Sequence, residues 1–319
     1  PALVAYDPAL AWPEGRYLLT SVNAADCSWC GGPYWTVIVD RRGRVVWAVP
    51  TPSGAWTLFP QLAVTGDAIL WDEQRYWGDL GAEQGRASTV HLTRLDGEVL
   101  EVATPGLHHA FVQLPDGGLA WGSYAHGFGE ALVEKAPGQA DETVVWRATS
   151  AGWYASSASN GLFYSDARDS YLYSFYSNST VAEIDRATGE AVWWAGDEPG
   201  GAPFVPASSQ FAWQHGVSWT DVGTVLVSSL DGVDTSLMEY EVDGGALHLV
   251  WSDPSGARAQ SNGGAWRLAN GNTLHLLGTA GIAREVTPEH QEAWRVSWGE
   301  GHLVGDGRWI TDLYPLVQP

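Results

Sequence analysis

Residues 158–175 read ASNGLFYSDARDSYLYSF, and residues 180–196 read TVAEIDRATGEAVWWAG. Each stretch is a run of strand formers, a polar turn and a second run. That pattern predicts two β-hairpins in tandem. Both hairpin types recur along the chain. The type ending at or near tryptophan returns as TVIVDRRGRVVWAV (36–49), TVHLTRLDGEVLEVA (89–103), ALVEKAPGQADETVVWRA (131–148), LMEYEVDGGALHLVWSD (237–253) and IAREVTPEHQEAWRVSW (282–298). The type that alternates with it returns as FPQLAVTGDAILW (59–71), HHAFVQLPDGGLAW (108–121), QHGVSWTDVGTVLVS (214–228), NGGAWRLANGNTLHLL (262–277) and EGHLVGDGRWIT (300–311). Its turns hold Asp, Asn or Gly, which supply the positive φ that tight hairpins demand.

Six units of four strands, about 50 residues apart, predict an all-β, six-bladed β-propeller with four antiparallel strands per blade, built as a single domain over 1–319. One small sheet cannot bury both of its faces, whereas sheets stacked around an axis can. Ring closure is expected where EGRYLLTS (14–21) lies beside GRWITDLYP (307–315). A solenoid would have shorter repeats, and two sandwiches would not keep one period throughout. Trp47, Trp146, Trp193, Trp251 and Trp294 are expected to fill space between blades. Trp29, Trp35, Trp56, Trp77 and Trp153 sit in less regular stretches and are candidates for a pocket rim.

Composition narrows the function classes. Sixteen Lys+Arg against 37 Asp+Glu give 16 − 37 = −21. Nucleic-acid phosphates and anionic membrane surfaces need clustered cations, so neither is an expected partner. No apolar run is long enough to span a bilayer. The expected partner is a small-molecule substrate, and a monomer is expected. The only two cysteines, Cys27 and Cys30, stand in a C-x-x-C without a second Cys pair to complete a zinc set. A small disulfide loop is the expected reading, with free thiols the alternative. Together with a sequence that starts at Pro1 without Met, this fits a secreted or periplasmic protein.

In a propeller the innermost strands converge on one channel mouth, where ligands bind. Aligning the second hairpin type on its turns places His108 and His109, Asn160, Gln214 and His215, Asn262, and Glu300 or His302 at equivalent entry positions. Such recurrence points to a site. The segment 71–88 is a candidate lid, and 195–210 is either a loop shaping substrate access or an interblade connector.

HHAFVQLPDGGLAW, the stretch from Ser159 to Gly196, FAWQH followed by SWTDVGTVLVSSLDG, and NGGAWRLANGNTLHLLG together resemble the bacterial arylsulfotransferase propellers over roughly residues 85–298. The resemblance implies transfer of a sulfuryl group from an aryl sulfate to a phenol through a sulfated histidine, without a nucleotide donor. Gln214-His215 matches the family's Q-H pair, which makes His215 the implied nucleophile. His108-His109 match its paired histidines, implied to bind or protonate sulfuryl or bridging oxygens; Ala110 stands where an Asp is usual. Asn160 matches an Asn of its H-x-N motif, with Ala158 in the histidine position. Tyr176 stands where the family has an arginine, and would give a neutral hydrogen bond to the substrate in its place.

Three functional readings follow. One is sulfuryl transfer or sulfate-ester hydrolysis, with His215, His109 and His108 catalytic and Asn160, Tyr176, Gln214 and Asn262 binding substrate. It needs no cofactor. Another is a metal-assisted hydrolase of lactonase or phosphotriesterase type, with Asn160, Asn262 and Glu300 offering oxygen ligands to Ca²⁺. The last is a non-catalytic ligand-binding propeller.

Overall fold

The second strand of each predicted unit carries apolar residues at consecutive positions, without the polar alternation of a half-exposed strand. A computed structural model, which describes residues 1–23, 33–52, 54–75, 86–97, 99–127, 129–153, 158–299 and 301–317, gives the reason. Ser170–Phe175 is buried along its whole length. Tyr171, Tyr173 and Phe175 point into one interblade core, while Leu172 between them joins the next. Val225–Leu230 behaves alike: Val225 and Val227 share a core with Leu172, whereas Leu226 packs with Ala265 and Val286. Successive side chains of a strand leave opposite faces, and here both faces are covered.

The sheets are six antiparallel blades around one channel. Blade I holds Tyr17–Asn23, Tyr34–Asp40 and Val45–Pro50, with Val304–Ile310 as its inner strand. Blade II holds Gln61–Leu62, Ile69–Glu73, Thr89–Thr93 and Val99–Ala103. Blade III holds Leu107–Gln113, Leu119–Ser123, Ala131–Lys135 and Thr143–Arg147. Blade IV holds Ser159–Ser165, Ser170–Phe175, Thr180–Asp185 and Ala191–Ala195. Blade V runs Val217–Trp219, Val225–Leu230, Thr235–Asp243 and Ala246–Pro254. Blade VI runs Gly263–Arg267, Thr273–Leu277, Ile282–Val286 and Glu292–Ser297. Outer strands are wetter, as Val45–Pro50 and Val99–Ala103 illustrate.

The ring closes where the sequence predicts it. Tyr17 pairs with Ile310, Leu18 with Trp309 and Thr20 with Gly307, so the last strand completes the first blade. The final stretch, 300–311, is therefore a single strand finished by the N-terminal segment, not a hairpin of its own. Two additions were not foreseen. Ala2–Tyr6 lies antiparallel on the outer edge of blade VI, and Phe204–Val205 lies parallel on that of blade V. The second makes the 195–210 stretch an interblade connector along the outer edge. Among the described residues the only helical turns are short 3₁₀ turns, and no helix is long and apolar enough to cross a membrane. Cys27, Cys30, Trp29, Trp77, Glu300 and most of the 71–88 lid candidate lie outside the described residues.

Trp294 shows how the seam is held. It is fully buried, meets Trp309 edge-to-face at 4.8 Å, and donates its indole N–H to the Arg41 carbonyl at 2.8 Å. Deleting the ring leaves a large void and an unsatisfied carbonyl. Trp294→Ala is expected to cost about 3–5 kcal/mol in urea denaturation. A loss under about 1 kcal/mol would show that the closure does not depend on this plate.

Candidate active site

Three of the aligned entry residues, His109, His215 and Asn262, meet in one cavity of about 160 Å³ at the channel mouth, together with Tyr176. Trp56 and Leu58 from the loop before blade II form one wall, and Gln260 and Ser261 contribute beside Asn262. Ala158 also lines the space, so the missing side chain at that position adds to its volume.

The loop carrying Trp56 and Leu58 is fixed by a buried carboxylate. Asp72 accepts the backbone N–H groups of Leu58 and Phe59 at 2.9–3.1 Å and the Thr57 hydroxyl at 3.1 Å. Burial raises its pKa, and those donors oppose the rise. Beneath the cavity the Asp306 N–H bonds to the Leu58 carbonyl at 2.7 Å. The Asp306 carboxylate pairs with Arg308 at 2.9 Å and accepts the Trp266 indole N–H at 2.8 Å. A second, small cavity of about 20 Å³ lies there among the inner strands, lined by Trp266, Asp306 and Arg308 among others.

His215 reaches the cavity from a tight turn. Trp213 has φ 47° and Gly216 has φ 76°. A Cβ on Gly216 would lie 2.6 Å from the Gly264 Cα, so blade VI approaches too closely for any other residue. The His215 Nδ1 lies 3.3 Å from the Trp213 carbonyl, which fixes the ring proton on Nδ1 and the lone pair on Nε2. Burial pulls its pKa down to about 4, with the carbonyl contact opposing. The imidazole is therefore neutral at pH 7. Tyr176 packs its ring 4.6 Å from that of His215 and 5.0 Å from Trp213. Burial raises the Tyr176 pKa, and the Arg258 charge lowers it.

His109 is also held neutral. Burial lowers its pKa well below the ordinary value, and the charges of His108 and His215 push the same way. Behind it stands a chain of hydrogen bonds. The His108 Nδ1 lies 2.8 Å from the His109 Nδ1, and the His108 Nε2 lies 2.9 Å from Glu130 Oε2. Glu130 is fully buried and also accepts the Ser159 hydroxyl at 2.7 Å and the Tyr173 hydroxyl.

His108, Asn160 and Gln214 do not line the cavity. Asn160 donates its amide to the Gln214 carbonyl at 2.6 Å and accepts the Ser174 hydroxyl at 2.8 Å, so both ends of its amide are engaged inside the wall. Gln214 donates to the Phe175 and Thr180 carbonyls and the Ser174 hydroxyl at 3.0–3.1 Å, stitching blade V to blade IV. His108 faces Glu130. The calcium alternative loses Asn160 as an open ligand, and among the described residues no three His, Cys, Asp or Glu side chains gather as a metal site. Trp56 reaches the cavity, whereas Trp153 packs edge-to-face on Trp146, 5.2 Å away, and lines a separate cleft of about 440 Å³ between blades III and IV.

Glu130, Ser159 and Tyr173 were not anticipated as neighbours of the site. The signal for Glu130 is a carboxylate at the head of Ala131-Leu132-Val133, a run with no exposed position.

No family model matches the chain, and no curated protein matches it. Solved structures do. A protein of unknown function from Bacteroides caccae is 15% identical with a TM-score of 0.63, over 92% of this chain and 98% of that one. TolB from Acinetobacter baumannii is 11% identical with a TM-score of 0.61, over 93% and 68%. A streptogramin B lyase is 12% identical with a TM-score of 0.55, over 91% of each. These likenesses establish the propeller fold.

Proposed function

We propose that this propeller moves a sulfuryl group from an aryl sulfate to a phenol, or to water, through His215. The observation that carries the reading is a buried imidazole, His215, whose Nδ1 faces the Trp213 carbonyl and which shares a small cavity with His109, burial lowering the pKa of both rings. A neutral imidazole is the nucleophilic form, and burial keeps it available well below pH 7. The cavity of about 160 Å³ is close to the roughly 150 Å³ void that admits a benzene ring. Trp56 and Tyr176 give it aromatic walls suited to an aryl group. The blade motifs that resemble arylsulfotransferases place their Q-H pair on this same imidazole.

The chemistry balances in two steps. His215 Nε2 attacks sulfur, the S–O bond to the aryl group breaks, and a phenolate departs with the bonding pair. The acceptor hydroxyl then gives up its proton, its oxygen attacks sulfur, and the S–N bond breaks to restore His215. The Tyr176 hydroxyl, which lies 3.4 Å from the Gln260 carbonyl, and the second N–H of the Asn262 amide, whose first reaches the Ser261 hydroxyl at 3.2 Å, are the donors nearest the sulfuryl oxygens. Among the described residues no guanidinium lines the cavity. That absence favours the competing reading, a propeller that binds an aryl ligand without turning it over.

Incubation with excess 4-nitrophenyl sulfate decides between them. Peptide mass spectrometry is expected to find one sulfuryl group on the peptide holding His215. Saturable binding of the donor with an unlabelled peptide would establish the non-catalytic reading.

A further inference from the structure

The hydrogen-bond chain behind His109 assigns a proton position. We propose that Glu130 and His108 are positioning residues that hold the proton of His109 on Nδ1, so that Nε2 of His109 is the base that takes the acceptor's proton. The inference rests on the sulfuryl-transfer reading for its catalytic consequence, though not for the proton position itself.

Glu130 is buried without exposed side-chain surface and accepts hydrogen bonds from Ser159, Tyr173 and His108. Both hydroxyls can donate, and three donors satisfy the acceptor sites of a buried carboxylate. The His108 Nε2 must therefore carry a hydrogen. With a single proton on the His108 ring, its Nδ1 presents a lone pair. The 2.8 Å contact between the two Nδ1 atoms requires one proton between them. It can come only from His109. The remaining nitrogen of His109, Nε2, then carries the lone pair, on a ring that lines the cavity.

This division of labour gives the two cavity histidines different tasks. His215 is oriented by a backbone carbonyl and forms the bond to sulfur. His109 is oriented through an imidazole by a carboxylate, an arrangement that holds a tautomer fixed and raises the basicity of the outer nitrogen. In the second half-reaction the acceptor O–H proton moves to His109 Nε2 as its oxygen takes the sulfuryl group. His109 then releases that proton to solvent.

Long-range ¹H–¹⁵N correlation spectra of histidine-labelled protein read the tautomers directly. The expected result is His108 protonated on Nε2 and His109 on Nδ1. A His109 ring protonated on Nε2 would overturn the assignment, as would a doubly protonated His108. Glu130→Gln supplies an amide N–H in place of a carboxylate oxygen. It is expected to move the His108 proton to Nδ1 and so turn His109 into the Nε2–H form. With 4-nitrophenyl sulfate and phenol, that variant should still release a first equivalent of nitrophenolate while steady transfer falls about 100-fold. Equal loss of burst and transfer would show a merely structural role for Glu130. If the wild-type tautomers are as stated and no donor turns over, the positioning stands and the sulfuryl reading falls. The wild-type spectrum serves even if Glu130→Gln does not fold.

Discussion

His215→Ala is expected to remove turnover of aryl sulfates by about ten-thousand-fold or more while leaving the blades intact. The expectation follows from what the ring does and does not do in the structure. Its one hydrogen bond is a 3.3 Å contact to a backbone carbonyl in its own turn, and its nearest ring partner is Tyr176. No interblade hydrogen bond passes through the side chain; the neighbouring Gln214 makes those. Removing the imidazole therefore costs little packing and all of the covalent chemistry. Loss of a nucleophile typically costs several orders of magnitude, with a residual rate from binding and from the remaining groups. The check is steady-state release of 4-nitrophenolate, alongside thermal melts of both proteins. A variant that keeps a tenth of the rate would mean that His215 is not the nucleophile, and attention would shift to His109. A variant that binds donor but neither turns over nor labels, beside a wild type that does both, fixes the role.

The alignment that led to His215 also shows how much of such a site can be read from sequence. Blade count, ring closure and the level of the mouth follow from repeat spacing, because each hairpin must occupy the same place in its own blade. Three aligned residues, His109, His215 and Asn262, reach the cavity, and His108, Asn160 and Gln214 do not. His108 and His109 are adjacent, as are Gln214 and His215. Neighbours along the strand Leu107–Gln113 leave opposite faces, so His109 meets the cavity and His108 enters the wall between blades, whereas the tight turn from Trp213 to Gly216 divides Gln214 from His215. Register gives the level around the channel; it does not say which neighbour faces inward. Asn160 stands at the right level and is consumed by a carbonyl of the next blade. Glu130 was invisible for another reason. Its partners are His108, Ser159 and Tyr173, 22, 29 and 43 residues away, and two of them belong to the next blade. Packing between blades creates that cluster, and no local spacing encodes it.

The same burial that keeps the histidines neutral should make the fold acid-sensitive in a defined window. His215 titrates near 4 in the folded chain against an ordinary value of 6.5. The unfolded chain therefore takes up a proton at higher pH than the folded chain does. Above pH 6.5 neither state holds that proton, and His215 contributes no pH dependence. As pH falls from 6.5 toward 4 the unfolded state binds more protons, so stability declines. Below 4 both states are protonated and the loss is complete. A shift of this size corresponds to about 2 kcal/mol by pH 5 and about 3 kcal/mol once the window is passed. His109 and His275, both lowered by burial, act in the same direction. The carboxylates whose pKa values are depressed, Asp40 and Glu73 among them, lose their contribution only at more acid pH, below the ordinary carboxylate range. Urea midpoints at pH 7.5, 6 and 5 separate the two groups. The wild type is expected to weaken between pH 6.5 and 5, and His215→Ala to weaken less by about 2 kcal/mol at pH 5. Parallel curves for the two proteins across that window would mean that the His215 ring is solvated, and its standing as a buried neutral nucleophile would go with it.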